Sequence, residues 1–261
     1  MGNIRSKAQK EEKYKIIGDH FETYGQLEQA LRDVGLEACQ LIVGVDFTKS
    51  NLWQGTGVFA YDNLHTISNV PNPYQQVLGI MAKALVNFDD DHLIPAYGFG
   101  SKSTSDRSVF SFQYDDQPCH GLEGVLEQYT KIASCVEMSG PTSFTPIIRR
   151  AIDIVKVSRA YHILLIIADG GVSDINETIN TIVEASHYPL SIVCIGVGKG
   201  PWDAMIKMDD DIPKRKFDNF QFVDFHKIMH QCENQEVDFA KHALMEIPLQ
   251  YDYIKRYLLH Q

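Results

Sequence analysis

The chain has 261 residues, 44% of them hydrophobic and 22% charged, and its 34 acidic against 24 basic side chains give a formal net charge of −10. That length and balance fit one large globular domain with tails, and the acidic surplus argues against nucleic-acid binding, for which a basic face is the usual footprint. No apolar run approaches the roughly 20 residues that span a bilayer, "MGNIRSKAQKEEKYK" lacks the apolar segment of a secretory signal, and five scattered cysteines with no C-x-x-C pair point to a reducing compartment and away from a cysteine-rich zinc module.

Residues 1–20 read as a flexible basic tail, 21–250 as the folded domain and 251–261 as a C-terminal tail. "TYGQLEQALRDVGLEA" predicts a short amphipathic helix with Leu27, Ala30, Leu31 and Val34 on one face. "QLIVGVDF" is a continuous apolar run, the mark of a strand buried on both faces, and it ends in Asp46. "NPYQQVLGIMAKALVNF" is helical with Pro73 suited to its first turn, "HLIPAYGFG" is a second core strand, and the alternation in "SVFSFQY" suits an edge strand or hairpin. "GLEGVLEQYTKIASCV" is a further helix, and "SGPTSFTPIIRRAIDIVKVS" begins as a turn and becomes one, with Pro146 in its first turn. "YHILLIIADGG" and "PLSIVCIGVG" are buried strands on either side of the helix "INETINTIVEASHY". "FQFVDF" is a last short strand, and His226 to about Ile247 a closing helix. Strands and helices alternate throughout, so the expected fold is a doubly wound α/β sheet, mostly parallel and flanked by helices.

Ligands of such sheets bind beyond the carboxyl ends of the strands. Asp46 and Asp169 lie at two such ends, Thr48 and Ser50 follow Asp46 at alternate positions, and Thr142 lies in a turn that leads into a helix on the same rim. All five side chains offer oxygen and none offers nitrogen or sulfur, which suits a hard divalent cation. Hydroxyl ligands add no charge, so the ion keeps positive character toward a further ligand. Asp, Thr and Ser after a strand are also ordinary turn and capping residues. What distinguishes this set is that "GPTSF" before a helix and "ADGG" after a strand accompany it in the right order.

The stretches "GLEACQLIVGVDFTKSN", "NPYQQ", "LIPAYGFG", "SGPTSFTPII", "YHILLIIADGGVSD", "ASHYPLSIVCIGVGKGPWDAM", "FDNFQFVDF" and "ALMEIPLQY" resemble the von Willebrand factor A domain of copines, and most closely that of the plant copine-like RING ubiquitin ligases. The resemblance runs from about Gly25 to about Gln250. It implies a Rossmann-like sheet carrying a metal-ion-dependent adhesion site, usually opened by D-x-S-x-S. Asp46, Thr48 and Ser50 match that motif with Thr in place of the first Ser, Thr142 matches the second-loop Thr and Asp169 the third-loop Asp. Thr145 competes for the second-loop position, although beside Pro146 it suits a helix cap. The implied function is a protein-binding module that holds Mg²⁺, with Mn²⁺ acceptable, and takes an Asp or Glu from a partner protein. Two departures limit the analogy: the two C2 domains of copines have no counterpart here, and "LQYDYIKRYLLHQ" has no cysteine for a RING. Neither calcium-dependent phospholipid binding nor intrinsic ligase activity is therefore expected.

"MGNIRS" fits the N-myristoylation pattern at Gly2, and Arg5, Lys7, Lys10, Lys13 and Lys15 follow it. One acyl chain beside a basic segment is a usual pair of signals for an anionic membrane surface. The expected location is the cytoplasm, partly at the cytoplasmic face of membranes, and the expected role a signalling or scaffold protein. A second reading makes the chain the substrate-recruiting component of a ubiquitin-ligase assembly. A third makes it a phosphotransferase of the haloacid-dehalogenase type, which also places an Asp after a buried strand and uses Mg²⁺. Such enzymes carry a second acid two residues later, where this chain has Thr48. "GVGKG" at 196–200 lacks the spacing of a dinucleotide loop, and no Ser-His-Asp set assembles. "DDD" at 89–91 and at 209–211 reads as solvated loop, and His162 and His187 as packed or capping residues.

Overall fold

A computed structural model describes residues 21–55, 63–210, 212–232 and 234–259. Gly2, the basic residues that follow it and Asp211 lie outside these ranges. In chain order the elements begin with α1 (Tyr24–Asp33), β1 (Gln40–Asp46), the single turn α2 (Asn51–Gln54), α3 (Pro73–Leu85), β2 (Leu93–Ile94), β3 (Ala96–Phe99), β4 (Phe110–Ser111), β5 (Cys119–His120) and α4 (Gly121–Ala133). They continue with α5 (Thr145–Ser158), β6 (His162–Ala168), α6 (Ile175–Ala185), β7 (Leu190–Gly196), α7 (Asp203–Asp210), β8 (Phe220–Asp224), α8 (Phe225–Gln231), α9 (Gln235–Leu244) and α10 (Ile247–Tyr257).

The main sheet has the order β4-β3-β1-β6-β7-β8, and every neighbouring pair is parallel except β3 with the edge strand β4. This is the doubly wound, mostly parallel architecture expected from the alternation of strands and helices. Two buried clusters pack on its opposite faces, because the central strands are apolar on both sides. Val43, Val45, Ile163 and Ile167 face α3, α9 and α10, whereas Ile42, Leu164, Ile166 and Cys194 face α5 and α6. Asn72 caps α3 in a reciprocal bond with Gln75, and Pro73 stands in the first turn. All five cysteines are free thiols. No helix among the described residues is long and apolar enough to cross a membrane.

Three expectations are corrected. "HLIPAYGFG" is not one strand. Pro95 separates β3 from β2, and β2 pairs instead with β5. The closing helix is broken after Gln231, where Cys232 is extended (φ −106°, ψ 146°), and α9 begins again at Gln235. The segment 251–261 is not a tail from its start. It continues α10 to Tyr257, with Tyr251 and Ile254 buried against the sheet cluster, because Ile247, Tyr251 and Ile254 recur at helical spacing.

Candidate metal centre

β1 and β6 are adjacent and parallel, so their carboxyl ends deliver Asp46 and Asp169 to the same rim. Both are fully buried. A chain of three hydroxyls runs from Asp169 through Ser50 and Thr48 to Thr142. Ser50 Oγ donates to Asp169 Oδ1 (2.9 Å), Ser50 Oγ and Thr48 Oγ1 share a bond of 3.0 Å, and Thr142 Oγ1 donates to Thr48 Oγ1 (3.3 Å). The Thr48 amide donates to Asp46 Oδ1 (2.8 Å), which folds the loop back over the strand end. All five predicted side chains thus meet in one cluster. Ser50 and Thr142 are half-buried at its outer side.

The backbone of the surrounding loops holds this cluster in place. Lys49 N donates to Ser139 O (2.5 Å) and Ser139 N to Phe47 O (3.3 Å), tying the segment before α5 to the loop after β1. Ser173 binds the Thr142 carbonyl twice, through N (2.9 Å) and Oγ (2.8 Å), joining the loop after β6 to the same point. Gly100 has φ +75°, and a Cβ there would lie 2.2 Å from Thr48 Cγ2. Gly198, within the "GVGKG" stretch, approaches so closely that a Cβ would meet Asp169 O at 2.2 Å. That stretch is a packing surface for the site, and its glycines are there for close approach.

Thr145 lies elsewhere. It is buried as the first residue of α5, 3.5 Å from Thr181 Oγ1, and the N-cap position belongs to Phe144 without a side-chain bond. Of the two, Thr142 is the one that joins the cluster, and Thr145 is not a cap.

Beneath the rim is a polar layer that sequence reasoning missed. The Asp46 carbonyl accepts from Tyr74 OH (3.3 Å) and from His65 Nε2 (2.9 Å). A carbonyl only accepts, so His65 carries its proton on Nε2, and Nδ1 accepts from Tyr129 OH (2.8 Å). Asn51 donates to Thr48 O (3.1 Å) and accepts from Tyr74 OH (2.7 Å). Asn72 completes the layer by donating to Tyr129 OH (3.0 Å). The His65 ring stacks between Phe47 (4.7 Å) and Tyr74 (4.1 Å), and burial pushes its pKa down to about 3. "NPY" offered a signal for Asn72 as a helix cap; nothing local in "LHT" announced a buried histidine.

The electrostatics define what the cluster can hold. Burial holds both carboxyls above the usual carboxylate range, and for Asp169 the charge of Asp46 adds to the effect. Asp46 Oδ2 and Asp169 Oδ2 are buried with no hydrogen-bond partner. Two adjacent desolvated carboxylates with orphaned oxygens fit a cation, and an all-oxygen donor set fits a hard one. Among the described residues no group of three or more His, Cys, Asp or Glu side chains is placed to hold a metal. The set therefore has two carboxylates, with hydroxyls supplying the remaining oxygens. The position two residues after Asp46, where a phosphotransferase of the haloacid-dehalogenase type needs its second acid, holds the Thr48 hydroxyl already bonded within the cluster.

The copine family profile matches residues 63–261. E3 ubiquitin-protein ligase RGLG5 of Arabidopsis thaliana is 50% identical over 257 residues, covering 92% of this chain and 59% of the ligase. E3 ubiquitin-protein ligase RGLG3 of the same plant is 46% identical over 265 residues, 95% of this chain and 72% of the ligase. Copine family protein 2 of Caenorhabditis elegans is 51% identical over 242 residues, 90% of this chain and 3% of the worm protein. The chain thus spans only part of the length of these relatives. Among solved structures, manganese-loaded Plasmodium vivax TRAP protein superposes with a TM-score of 0.50 at 12% identity, over 73% of this chain and 70% of that one. At that identity the likeness speaks for the fold, which is that of von Willebrand factor A domains. A family profile that covers most of the chain and a ligase relative at close to half identity lead to one conclusion: the chain belongs to the copine family.

Proposed function

We propose that this protein is a metal-dependent protein-binding module. Asp46, Thr48, Ser50, Thr142 and Asp169 hold one divalent cation, Mg²⁺ by preference and Mn²⁺ acceptably. The observation that carries this reading is the pair of buried carboxylates with partnerless Oδ2 atoms, beside a chain of three hydroxyls whose outer members, Ser50 and Thr142, are only half-buried. The bound ion supplies positive charge toward solvent, and an Asp or Glu from a partner protein completes its coordination. The chain's own residues orient the ion: the Asp46 loop through Thr48 N, the second loop through Ser139, and the third through Ser173. The manganese of the TRAP neighbour is in keeping with this assignment.

Binding of Mg²⁺ stabilises the fold by about 2.7 kcal/mol at a hundredfold excess over Kd. Asp46→Ala is expected to abolish that increment while leaving a folded apo protein, because the residue belongs to the rim. Thermal melts with and without Mg²⁺ test this, and an equal shift in wild type and mutant would refute the assignment. Capture of a partner should need metal and weaken with EDTA. Hydrolysis of an aryl phosphate in Mg²⁺ at a rate that disappears in Asp46→Asn would contradict the binding-module reading and favour the phosphotransferase.

The relatives named as E3 ubiquitin-protein ligases favour a second reading, in which the module recruits substrate within a ubiquitin-ligase assembly whose RING another segment or chain supplies. Myristoylation of Gly2, with the basic residues after it, would place the protein in the cytoplasm and partly at the cytoplasmic face of membranes.

A further inference from the structure

At the end of the sheet opposite the oxygen-lined rim, the loop Phe88–His92 connects α3 to β2. It is firmly held. The Phe88 carbonyl accepts from Cys39 N (2.9 Å), and the Arg32 guanidinium lies 4.5 Å above the Phe88 ring. Both Asp91 oxygens are engaged, Oδ1 by Leu93 N (2.9 Å) and Oδ2 by Gln40 Nε2 (2.9 Å). The His92 carbonyl accepts from Gly121 N (2.8 Å). These bonds leave Asp89 turned inward. It is 4% exposed, its Oδ1 is buried without a hydrogen-bond partner, and among the described residues no ion pair reaches its carboxylate. Burial and the neighbouring Asp91 raise its pKa to about 6. The first "DDD" run is therefore not uniformly solvated loop.

Asp89 lines a cavity of about 430 Å³ whose walls include Leu41, Leu85, Val86, Ile94 and Leu122. Apolar walls around one buried polar group make the usual pattern of a small-ligand site. Exposed Lys83, His92, His120 and Glu123 also line the cavity; Lys83 is committed elsewhere, with Nζ 2.6 Å from Glu236 Oε2 and 5.8 Å over the Tyr24 ring, and His92 acts on Asp89 through its charge without a bond to the carboxylate. No group of three or more His, Cys, Asp or Glu side chains is placed to hold a metal here or elsewhere among the described residues. The missing partner is thus a cationic donor that brings its own apolar body.

We infer that this cavity binds a primary alkylammonium group, its N–H donors on the Asp89 carboxylate and its methylene stem along Leu41, Leu85 and Ile94. An ammonium carries three donors and a full charge to a carboxylate that has neither, and a flexible methylene stem packs well on aliphatic walls while its head stays polar. The site is independent of the metal centre, which lies at the other ends of the strands.

Calorimetric titration of the full chain with n-pentylammonium at pH 7.5, in EDTA, tests the inference. Saturable binding is expected, with n-pentanol, the uncharged isostere, weaker by about tenfold or more. Asp89→Asn should weaken pentylammonium by a similar factor and leave pentanol unchanged. Nα-acetyl-lysine amide distinguishes the source of the ammonium: tighter binding than pentylammonium assigns it to a lysine of a partner, and weaker binding to a free amine. Absence of saturation in the tens of millimolar, equal affinity for amine and alcohol, or indifference to Asp89→Asn would each overturn the proposal. Should Asp89→Asn fail to fold, the comparison of amine with alcohol on the wild type still decides.

Discussion

Asp46 and Asp169 set the energetics of the rim. Both carboxyls sit above the ordinary 3.8 because burial penalises their charge, and Asp169 also feels Asp46. At low pH both are protonated in folded and unfolded chains alike, so the shift costs nothing. As pH rises past 3.8 the unfolded chain loses its protons first, and the apo fold loses stability until the raised pKa values are passed. In EDTA the melting temperature of the wild type should therefore fall relative to Asp169→Asn as pH is raised from about 4 to 7. The Asn variant should match the wild type near pH 4, exceed it at pH 7 and fail to respond to Mg²⁺. Parallel pH profiles for the two proteins would show that the carboxylates do not repel in the apo state, and the cation would lose its electrostatic rationale. Glycines matter here for a different reason. Gly198 and Gly100 leave room for the backbone of Asp169 and the side chain of Thr48, so the site depends on residues with no chemistry of their own.

The strand β1 and the polar layer below its end form the next level of support. His65, Tyr74 and Asn51 hold the Asp46 and Thr48 carbonyls from inside the core, so the loop carrying the predicted ligands is anchored from behind. His65 is neutral in the fold with its pKa near 3, whereas in the unfolded chain it titrates near 6.5. Below pH 6.5 the unfolded state binds a proton that the folded state refuses, so stability falls as the pH drops toward 3, by about 1.4 kcal/mol per unit. His65→Gln keeps an N–H for the Asp46 carbonyl and removes the titration. Urea denaturation at pH 7, 6 and 5 should give a shallower loss for the variant, and identical slopes would mean that the ring is not buried neutral. Apart from Asn72 as a helix cap, this layer was not legible in the sequence, because His65, Tyr74 and Tyr129 come from three separate segments and meet only once α3 and α4 pack on the sheet. The strands were legible for the opposite reason: "QLIVGVD" and "HILLIIA" are buried on both faces, and local composition alone carries that signal. The five oxygen residues were legible because chain order and strand ends fix where they emerge. The carboxyl-terminal helices were misjudged although their signals were local. The break at Cys232 lies in a polar stretch, and Pro248 marks the first turn of a new helix. Ile254 is fully buried on that helix, so Ile254→Ala should cost about 2–5 kcal/mol in denaturant melts, and a loss under half a kcal/mol would restore the reading of 251–261 as a tail.

Charge is distributed unevenly along the protein, and that distribution bears on where it works. The whole chain carries −10, yet Arg5, Lys7, Lys10, Lys13 and Lys15 are concentrated before residue 16, offset in part by Glu11 and Glu12. An acidic domain is repelled by an anionic leaflet, so the amino terminus would have to carry any attachment. A myristoyl group on Gly2, if attached, would contribute about 0.8 kcal/mol per buried methylene and alone would give only reversible binding. Each basic side chain near the surface adds about 1 kcal/mol, and this part is screened over a Debye length of about 8 Å at physiological salt. The two contributions together should divide the protein between cytosol and membrane, with high salt shifting it toward cytosol. Gly2→Ala should release it fully, while Glu at positions 7, 10, 13 and 15 should release it in part. Intact-mass measurement of protein from eukaryotic cells, paired with fractionation, checks the premise directly. A free or merely acetylated Gly2 would leave the basic segment unable to hold a chain of net charge −10 at an anionic surface, and the proposal of a membrane-attached fraction would fall.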